Sequence, residues 1–451
     1  MARQLFGTDG IRGVAGDFPL DARTVHAVGV ALGRWAVGIH GPGSEILIGM
    51  DTRESGPWLA SQVAGGIEEA DARVRFAGLV TTPGVAYLTR SRDFVAGVMI
   101  SASHNPYRDN GIKVFDHSGY KLPDEVEDAL EEQIFSLLAG EIEPRPAALN
   151  VDAGLDNAYV DWLLSTFPHR LEGMKLVVDC ANGAAVHLAP ELFRRLGAEV
   201  VNIHCAPDGR NINFHCGALH MKSLQAKVLA VGAAAGIAFD GDADRALFVS
   251  ASGKIVDGDA MLLLTAESLL RKGLLHDNEG QPTVVATVMS NYGLEGALQS
   301  QGIRLLRTAV GDKYVLEEMV RRGSPLGGEQ SGHVIFHRYA TTGDGMLTAL
   351  RVLEVMRETG RDLDDLTAGL KILPQLLVNV HIKHKRPLDG LAGVQREIRA
   401  AMDDFDGEGR VLVRFSGTEP LARVMVEGPE TGRVEHFAHR IARAVEIELG
   451  S

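Results

Sequence analysis

A chain of 451 residues is too long for one hydrophobic core and predicts three or four domains. Its 45% hydrophobic and 23% charged content is that of an ordinary soluble globular protein, and a formal charge of −14 argues against nucleic acid or an anionic membrane as the main partner. The first residues lack a signal-peptide apolar stretch, and the longest nearly uncharged apolar run, 228–239, is too short to span a bilayer. Cys180, Cys205 and Cys216 form no CxxC pair and no even disulfide set, so each reads as a small buried hydrophobe in a reduced, cytoplasmic protein.

Residues 1–150 open on Phe6-Gly7-Thr8-Asp9-Gly10-Ile11-Arg12-Gly13, read as a glycine-rich loop carrying one arginine. An amphipathic helix follows over 21–37, then a strand over 45–51 and a helix from Ser55 with Pro57 in its first turn. The apolar run 94–100 reads as a buried strand, and Ser101-Ala102-Ser103-His104-Asn105-Pro106 is the loop leaving its end. An acidic helix over 124–138 ends at Gly140, and 141–149 reads as a linker. Residues 151–255 repeat the plan: strand 174–179, a turn at Asn182-Gly183, helix 188–196, strand 198–203, and strand 236–239 running into Asp240-Gly241-Asp242-Ala243-Asp244-Arg245. Residues 256–372 repeat it again, with helix 259–270, strand 283–289, strand 303–308 and the loop Gly328-Glu329-Gln330-Ser331-Gly332-His333. Three topologically similar α/β domains with largely parallel sheets are expected. Over 373–451 the rhythm changes to a half-exposed strand over 376–382, a helix over 391–402, two strands flanking Phe415-Ser416-Gly417-Thr418-Glu419-Pro420, and a closing helix over 434–449. That is a smaller α+β domain with antiparallel strands, and His381 and His384 on its first strand read as structural.

Taken alone, the Ser103 loop is either a polar turn or a hydroxyl placed to carry something anionic, with the His104 imidazole beside it and Lys113 a short return away. Asp240, Asp242 and Asp244 stand at alternate positions, and three oxygens held together attract a hard divalent cation. An EF-hand is excluded, because Arg245 and Ala251 stand where that template needs Gly and Glu. Three protein oxygens leave an octahedral ion with open positions, as Mg²⁺ is held when it also touches a phosphoryl group. Arg414, Ser416, Gly417, Thr418 and Arg423 offer guanidiniums, hydroxyls and exposed backbone N–H groups, either as a phosphate cradle or as an ordinary hairpin turn. Glu329 and Ser331 suit hydrogen bonds to sugar hydroxyls, with His333 near enough to move protons unless it is only a structural residue at a strand start. Arg12 and Lys113 suit charge neutralisation in phosphoryl transfer, the alternative being solvated surface. GxxxxGK[ST], a GxGxxG after a strand, GxSxG around Ser103 and HExxH are all absent.

These four loops, in this order and over essentially the whole chain, resemble the α-D-phosphohexomutase superfamily. Within it, the segments Phe6 to Gly13, Ile100 to Pro106 with Asp109 to Lys113, and Gly328 to His333 are similar to phosphoglucosamine mutases. Gln330 stands where the phosphomannomutase/phosphoglucomutase branch tends to have Met or Glu. The resemblance implies four domains around one central cleft. It implies an isomerase that interconverts glucosamine 6-phosphate and glucosamine 1-phosphate on the way to UDP-N-acetylglucosamine. A mutase for glucose or mannose phosphates, and a Mg²⁺-dependent sugar phosphatase, are the alternatives.

Carried over position by position, Ser103 is the phosphoserine, and Asp240, Asp242 and Asp244 bind one Mg²⁺ that the phosphoserine completes. Lys113, His104, Arg12, Arg245 and His333 surround the transferring group. Thr308, Gly311, Lys313, Glu329 and Ser331 read the sugar, and Arg414, Ser416, Gly417, Thr418 and Arg423 hold the phosphate that is not reacting. Glucosamine 1,6-bisphosphate or glucose 1,6-bisphosphate is the implied activator and a sugar phosphate the implied partner, with a homodimer left open. Two positions depart from the pattern: Cys216-Gly217-Ala218-Leu219-His220, where relatives often carry Ser or Thr after the glycine, and Lys313, where Arg is common.

Overall fold

The computed structural model describes residues 4–7, 9–416 and 420–450, so Gly417 and Thr418 of the expected cradle lie outside the described residues. The chain forms two compact units. One takes the residues up to Val288 together with Leu305–Thr367, and the other takes Met289–Arg304 and the residues from Ala368 onward.

Three sheets of the first unit share one plan. In the first, Arg73–Leu79, Glu45–Met50 and Ala96–Ile100 are parallel neighbours, and Asp109–Asp116 returns antiparallel beside Ala96–Ile100. In the second, Glu199–Ile203, Lys175–Asp179 and Ala235–Phe239 are parallel, and Ala246–Ser250 returns antiparallel. In the third, the order is Arg304–Thr308, Thr283–Thr287, Leu326–Gly328 and an antiparallel Val334–Phe336. The sheets are therefore mixed rather than largely parallel, and loop length is the reason. A parallel return needs a crossover of a dozen or more residues. The loops 101–108, 240–245 and 329–333 hold eight, six and five residues, so each next strand can only fold back.

The expected glycine-rich opening loop is instead a ribbon. Phe6–Gly7 pairs with Gly10–Val14, which pairs with Asp109–Asp116 and places Arg12 opposite Gly111. It covers what would otherwise be an open sheet edge. Ala96–Ile100 and Ala235–Phe239 are buried at every position, as strands covered on both faces must be. Helix Ala22–His40 starts where Asp21 accepts from the Arg23 and Thr24 N–H groups, both at 3.0 Å. The apolar run 228–239 divides into the end of helix Lys222–Val231, a left-handed stop at Gly232 and the strand Ala235–Phe239. Helix Thr82–Ser91, unread in the sequence, is capped by Thr81, carries Pro83 in its first turn and presents Thr82 to the carboxylate loop.

The second unit holds the antiparallel sheet Gln375–His381, Leu421–Glu427, Arg410–Phe415 with helices Ala392–Phe405 and Thr431–Leu449. Val394, Phe405, Val424, Val426, Ile441 and Val445 are buried between them. No helix among the described residues is long and apolar enough to cross a membrane.

Candidate active site

The three loops at the carboxyl ends of the last parallel strands meet in the first unit. Ser103 is buried in the left-handed backbone region, at φ +51, and its Oγ donates to Asp240 Oδ2 at 2.7 Å. His104 Nδ1 lies 3.3 Å from the same hydroxyl. Burial and the charges of Arg245 and Arg12 push the His104 imidazole down to about 4, so it is neutral near pH 7. The serine loop and the carboxylate loop nest so closely that a Cβ at Gly241 would stand 2.4 Å from the Ser103 carbonyl oxygen. Only glycine permits that approach.

Four polar groups fix the serine backbone. Arg53 Nη2 donates to the carbonyls of Ser103 and Asn105, at 3.0 and 2.9 Å. Asn213 Nδ2 donates to the same two oxygens, at 2.9 and 3.2 Å. Ser101 Oγ accepts from the Ser103 N–H at 3.0 Å and donates to Asp51 at 2.6 Å. Asp51 in turn faces Arg53 Nε at 3.4 Å.

Lys113 is 1% exposed and sits among three carboxylates: Asp242 at 2.9 Å, Asp9 at 3.1 Å and Asp244 at 3.6 Å. Burial disfavours its charge, but Asp242, Asp9 and Asp244 outweigh that and hold the ammonium well above its ordinary range. Burial also works against Asp9, and Lys113, Lys121 and Arg12 reverse it, holding that carboxyl well below the usual range. Asp240 goes the other way, raised by burial and by the charges of Asp244 and Asp242.

The contacts around Lys113 close into a ring of alternating acidic and basic side chains. Lys121 Nζ joins Asp9 and Asp312, both at 2.6 Å. The His333 ring lies 3.8 Å from Asp312 and 3.6 Å from Asp244, which returns to Lys113. The His333 Nε2 accepts from the Gly343 N–H at 3.0 Å. Above this ring lies a cleft of about 400 Å³ lined by Arg12, His104, Asp244, Arg245, Gly311 and Glu329, among others. Glu329 Oε1 accepts from the Gly311 N–H at 3.1 Å, and Ser331 Oγ lies 3.4 Å from Glu329 Oε2.

Asp240, Asp242 and Asp244 each offer an oxygen within 4.8 Å of the other two. The Oδ1 atom of Asp242 is buried and makes no hydrogen bond. A buried carboxylate oxygen left bare in an all-oxygen set is what a hard divalent cation requires, so these residues fit one.

The structure thus brings Ser103, His104, Lys113, Arg12, Arg245, His333, the three aspartates, Gly311 and Glu329 together. Two expected sugar contacts stand apart. Lys313 Nζ bonds Asp124 of the acidic helix, and the Thr308 hydroxyl bonds the Ala309 carbonyl at 3.0 Å. In the second unit Arg414 and Arg423 face each other across paired strands, and Ser416 is buried with its carbonyl taken by Lys385 Nζ at 2.7 Å. Burial and the Arg423 charge lower the Arg414 guanidinium. Asp9, Lys121, Asp312, Arg53, Asn213 and Thr82 were not singled out from the sequence. Asp9 and Asp312 carried a signal, as acids inside glycine loops that hold other expected residues, whereas nothing local marks Lys121 or Arg53.

The chain belongs to the phosphoglucomutase/phosphomannomutase family, a family of isomerases. Its α/β/α domains I, II and III match residues 3–140, 157–253 and 257–371, and its C-terminal domain matches 377–444. More particularly, the chain is 59% identical over 450 residues to the phosphoglucosamine mutase of Solibacter usitatus, covering 100% of both chains. Among solved structures it is similar to a phosphoglucomutase/phosphomannomutase family protein of Burkholderia thailandensis, with TM-score 0.79, 26% identity and 98% and 97% of the two chains covered. The Aspergillus fumigatus N-acetylphosphoglucosamine mutase, solved with GlcNAc-6P and magnesium, shares the fold at TM-score 0.63 and 19% identity over 98% and 95% of the two chains.

Proposed function

We propose that the chain is a phosphoglucosamine mutase that interconverts glucosamine 6-phosphate and glucosamine 1-phosphate, with Ser103 as the phosphoryl carrier. The observation that carries the reading is the buried Ser103 hydroxyl, bonded to Asp240 and 3.3 Å from His104, with Asp242 and Asp244 on the same loop as Asp240 and Lys113 paired to both. The identity to named phosphoglucosamine mutases carries the choice of sugar.

O1 and O6 lie at opposite ends of the sugar, so a single fixed site moves phosphate between them only by lending a phosphoryl group of its own. Phosphorylated Ser103 gives its phosphoryl to one end, and the resulting 1,6-bisphosphate turns over and returns the other. Arg12 and Arg245, on the cleft wall, and Lys113 beneath it supply positive charge for the equatorial oxygens in the transition state. His104, 3.3 Å from the Ser103 hydroxyl, stands beside the transferring group. Asp240, Asp242 and Asp244 would hold Mg²⁺, whose charge stabilises the transferring group when bound. Glu329 reads sugar hydroxyls. Arg414, Ser416 and Arg423 grip the far phosphate, a task that must ignore which end of the sugar is presented and so suits charge and backbone rather than shape. The product feeds the precursor route to UDP-N-acetylglucosamine, a cytoplasmic supply of cell-wall units.

The test compares glucosamine 6-phosphate, glucose 6-phosphate and mannose 6-phosphate, each with Mg²⁺ and a trace of the matching 1,6-bisphosphate, scored by phosphorus NMR. Predominant glucosamine 1-phosphate is expected. Preference for glucose or mannose overturns the substrate while keeping the mechanism, and release of free phosphate alone overturns the mutase.

A further inference from the structure

Behind the carboxylate loop lies a second cluster that the phosphoryl chemistry does not use. Asp179 ends the strand Lys175–Asp179 and is fully buried. Its Oδ2 accepts from His204 Nδ1 at 2.9 Å and from the Gly217 N–H at 3.1 Å, and its Oδ1 accepts from the Ala181 N–H at 2.9 Å. His204 follows the neighbouring parallel strand Glu199–Ile203, and Cys216, 1% exposed, precedes the turn Gly217–Leu219. One carboxylate oxygen, one imidazole nitrogen and the Cys216 sulfur lie within 4.8 Å of one another.

The backbone is bent to hold this arrangement. Ala181, Asn182 and His204 all adopt left-handed conformations, with φ of 52°, 49° and 49°. Non-glycine residues persist there only where the surroundings force them, and such outliers concentrate at functional sites. The sulfur and the carboxylate are shut in, while the His204 side chain is 30% exposed and leaves one way to the cluster from solvent.

We propose that Asp179, His204 and Cys216 form a binding site for a borderline d-block cation of the Zn²⁺ class, distinct in chemistry from the all-oxygen loop Asp240–Asp244. One oxygen, one nitrogen and one sulfur is a donor set that Zn²⁺ or Co²⁺ accepts and Mg²⁺ does not. Three protein ligands leave the fourth tetrahedral position for water, on the open side at His204. With Zn–S near 2.3 Å and Zn–N or Zn–O near 2.0 Å, tetrahedral donors stand roughly 3.3–3.6 Å apart, so the widest separation closes by about 1 Å. Binding releases the Cys216 thiol proton and leaves the His204 ring proton on Nε2, so that Nδ1 turns from donor to ligand and the ion takes the proton's place beside the buried Asp179 carboxylate.

The site abuts the loop it resembles least. Ala184 N–H donates to the Gly241 carbonyl at 2.8 Å, and a Cβ at Gly183 would stand 2.3 Å from the same oxygen, so no slack separates the turn after Asp179 from the metal loop.

Cobalt(II) titration of the full, reduced chain tests this, because a cysteine thiolate bound to Co²⁺ gives an intense near-ultraviolet charge-transfer band that carboxylate ligands do not. The band is expected to saturate at one equivalent, to bleach when Zn²⁺ is added, and to survive Asp240→Asn. It is expected to vanish in Cys216→Ser, with mutase turnover under Mg²⁺ unchanged. His204→Gln, at the solvent edge, provides a second variant if Cys216→Ser fails to fold, and should weaken Co²⁺ binding at least tenfold. Absence of the band in the unmodified chain at saturating Co²⁺, or its persistence in Cys216→Ser, overturns the site, as does full affinity in His204→Gln.

Discussion

The Ser103 centre and the Arg414–Arg423 pair handle charge in opposite ways. Around Ser103 every cation is interleaved with carboxylates, so that Lys113 touches three acids and Asp9 three bases. Across the strand pair Arg410–Phe415 and Leu421–Glu427, two guanidiniums stand directly opposite each other, a placement that like charge penalises. The first arrangement sets cation against acid, whereas the second sets like against like across the strands.

The comparison breaks most visibly at Ser103. Ser103→Ala should cut isomerisation by about four orders of magnitude or more, the scale on which loss of a covalent nucleophile acts. Sugar-phosphate binding, measured by calorimetry, should persist, and undiminished turnover would remove Ser103 from the mechanism.

Lys113→Met tests the balance itself. It strands Asp242 in the interior and should cost about 3–5 kcal/mol of stability in denaturant melts. An unchanged midpoint would mean that the acids find other partners.

Asp344 sharpens the contrast, because it is a buried carboxyl whose hydrogen bonds come from Tyr159 Oη at 2.8 Å and the Leu347 N–H at 2.9 Å rather than from a cation. Burial pushes it from 3.8 up to about 6. A carboxyl raised in the folded state favours folding fully below its unfolded value, and that contribution is lost as pH rises from about 4 through 6. From 3.8 to about 6, the ionised group withholds about 3 kcal/mol above that window. Asp344→Asn keeps the cap and should stabilise the protein more at pH 8 than at pH 4.5; an equal effect at both would refute the shift.

The smallest effect belongs to the facing arginines. Arg414→Ala should raise KM for the sugar phosphate about ten- to a hundredfold with little change in kcat, because a charge-assisted hydrogen bond to a group that does not react is worth about 1.5–3 kcal/mol in ground and transition states alike. A fall in kcat at constant KM would give Arg414 a role in the chemistry.

Short-range signals made much of this legible in the sequence. The strands Ala96–Ile100 and Ala235–Phe239 are continuous apolar runs followed by polar loops, and a buried strand leaves no other trace. What stayed hidden needed information from distant residues. Gly10–Val14 is extended only because Asp109–Asp116 offers it an edge, and its glycines argued locally for a loop. Arg53, 50 residues before Ser103, reaches the serine carbonyl through a fold that brings two strand ends side by side. Lys313 bonds Asp124 of the acidic helix, a partner that no local signal announces.

The alternating ring Lys113, Asp9, Lys121, Asp312, His333, Asp244 draws its members from all three loop-bearing sheets. A chain of ion pairs can be shortened from its ends, one link at a time, but a closed circuit has no end. Pulling any one of the three α/β bodies away breaks two of its links at once. The first unit should therefore lose its folded state as a single cooperative block, and partial opening at Ser103 should be rarer than the modest size of each contact suggests.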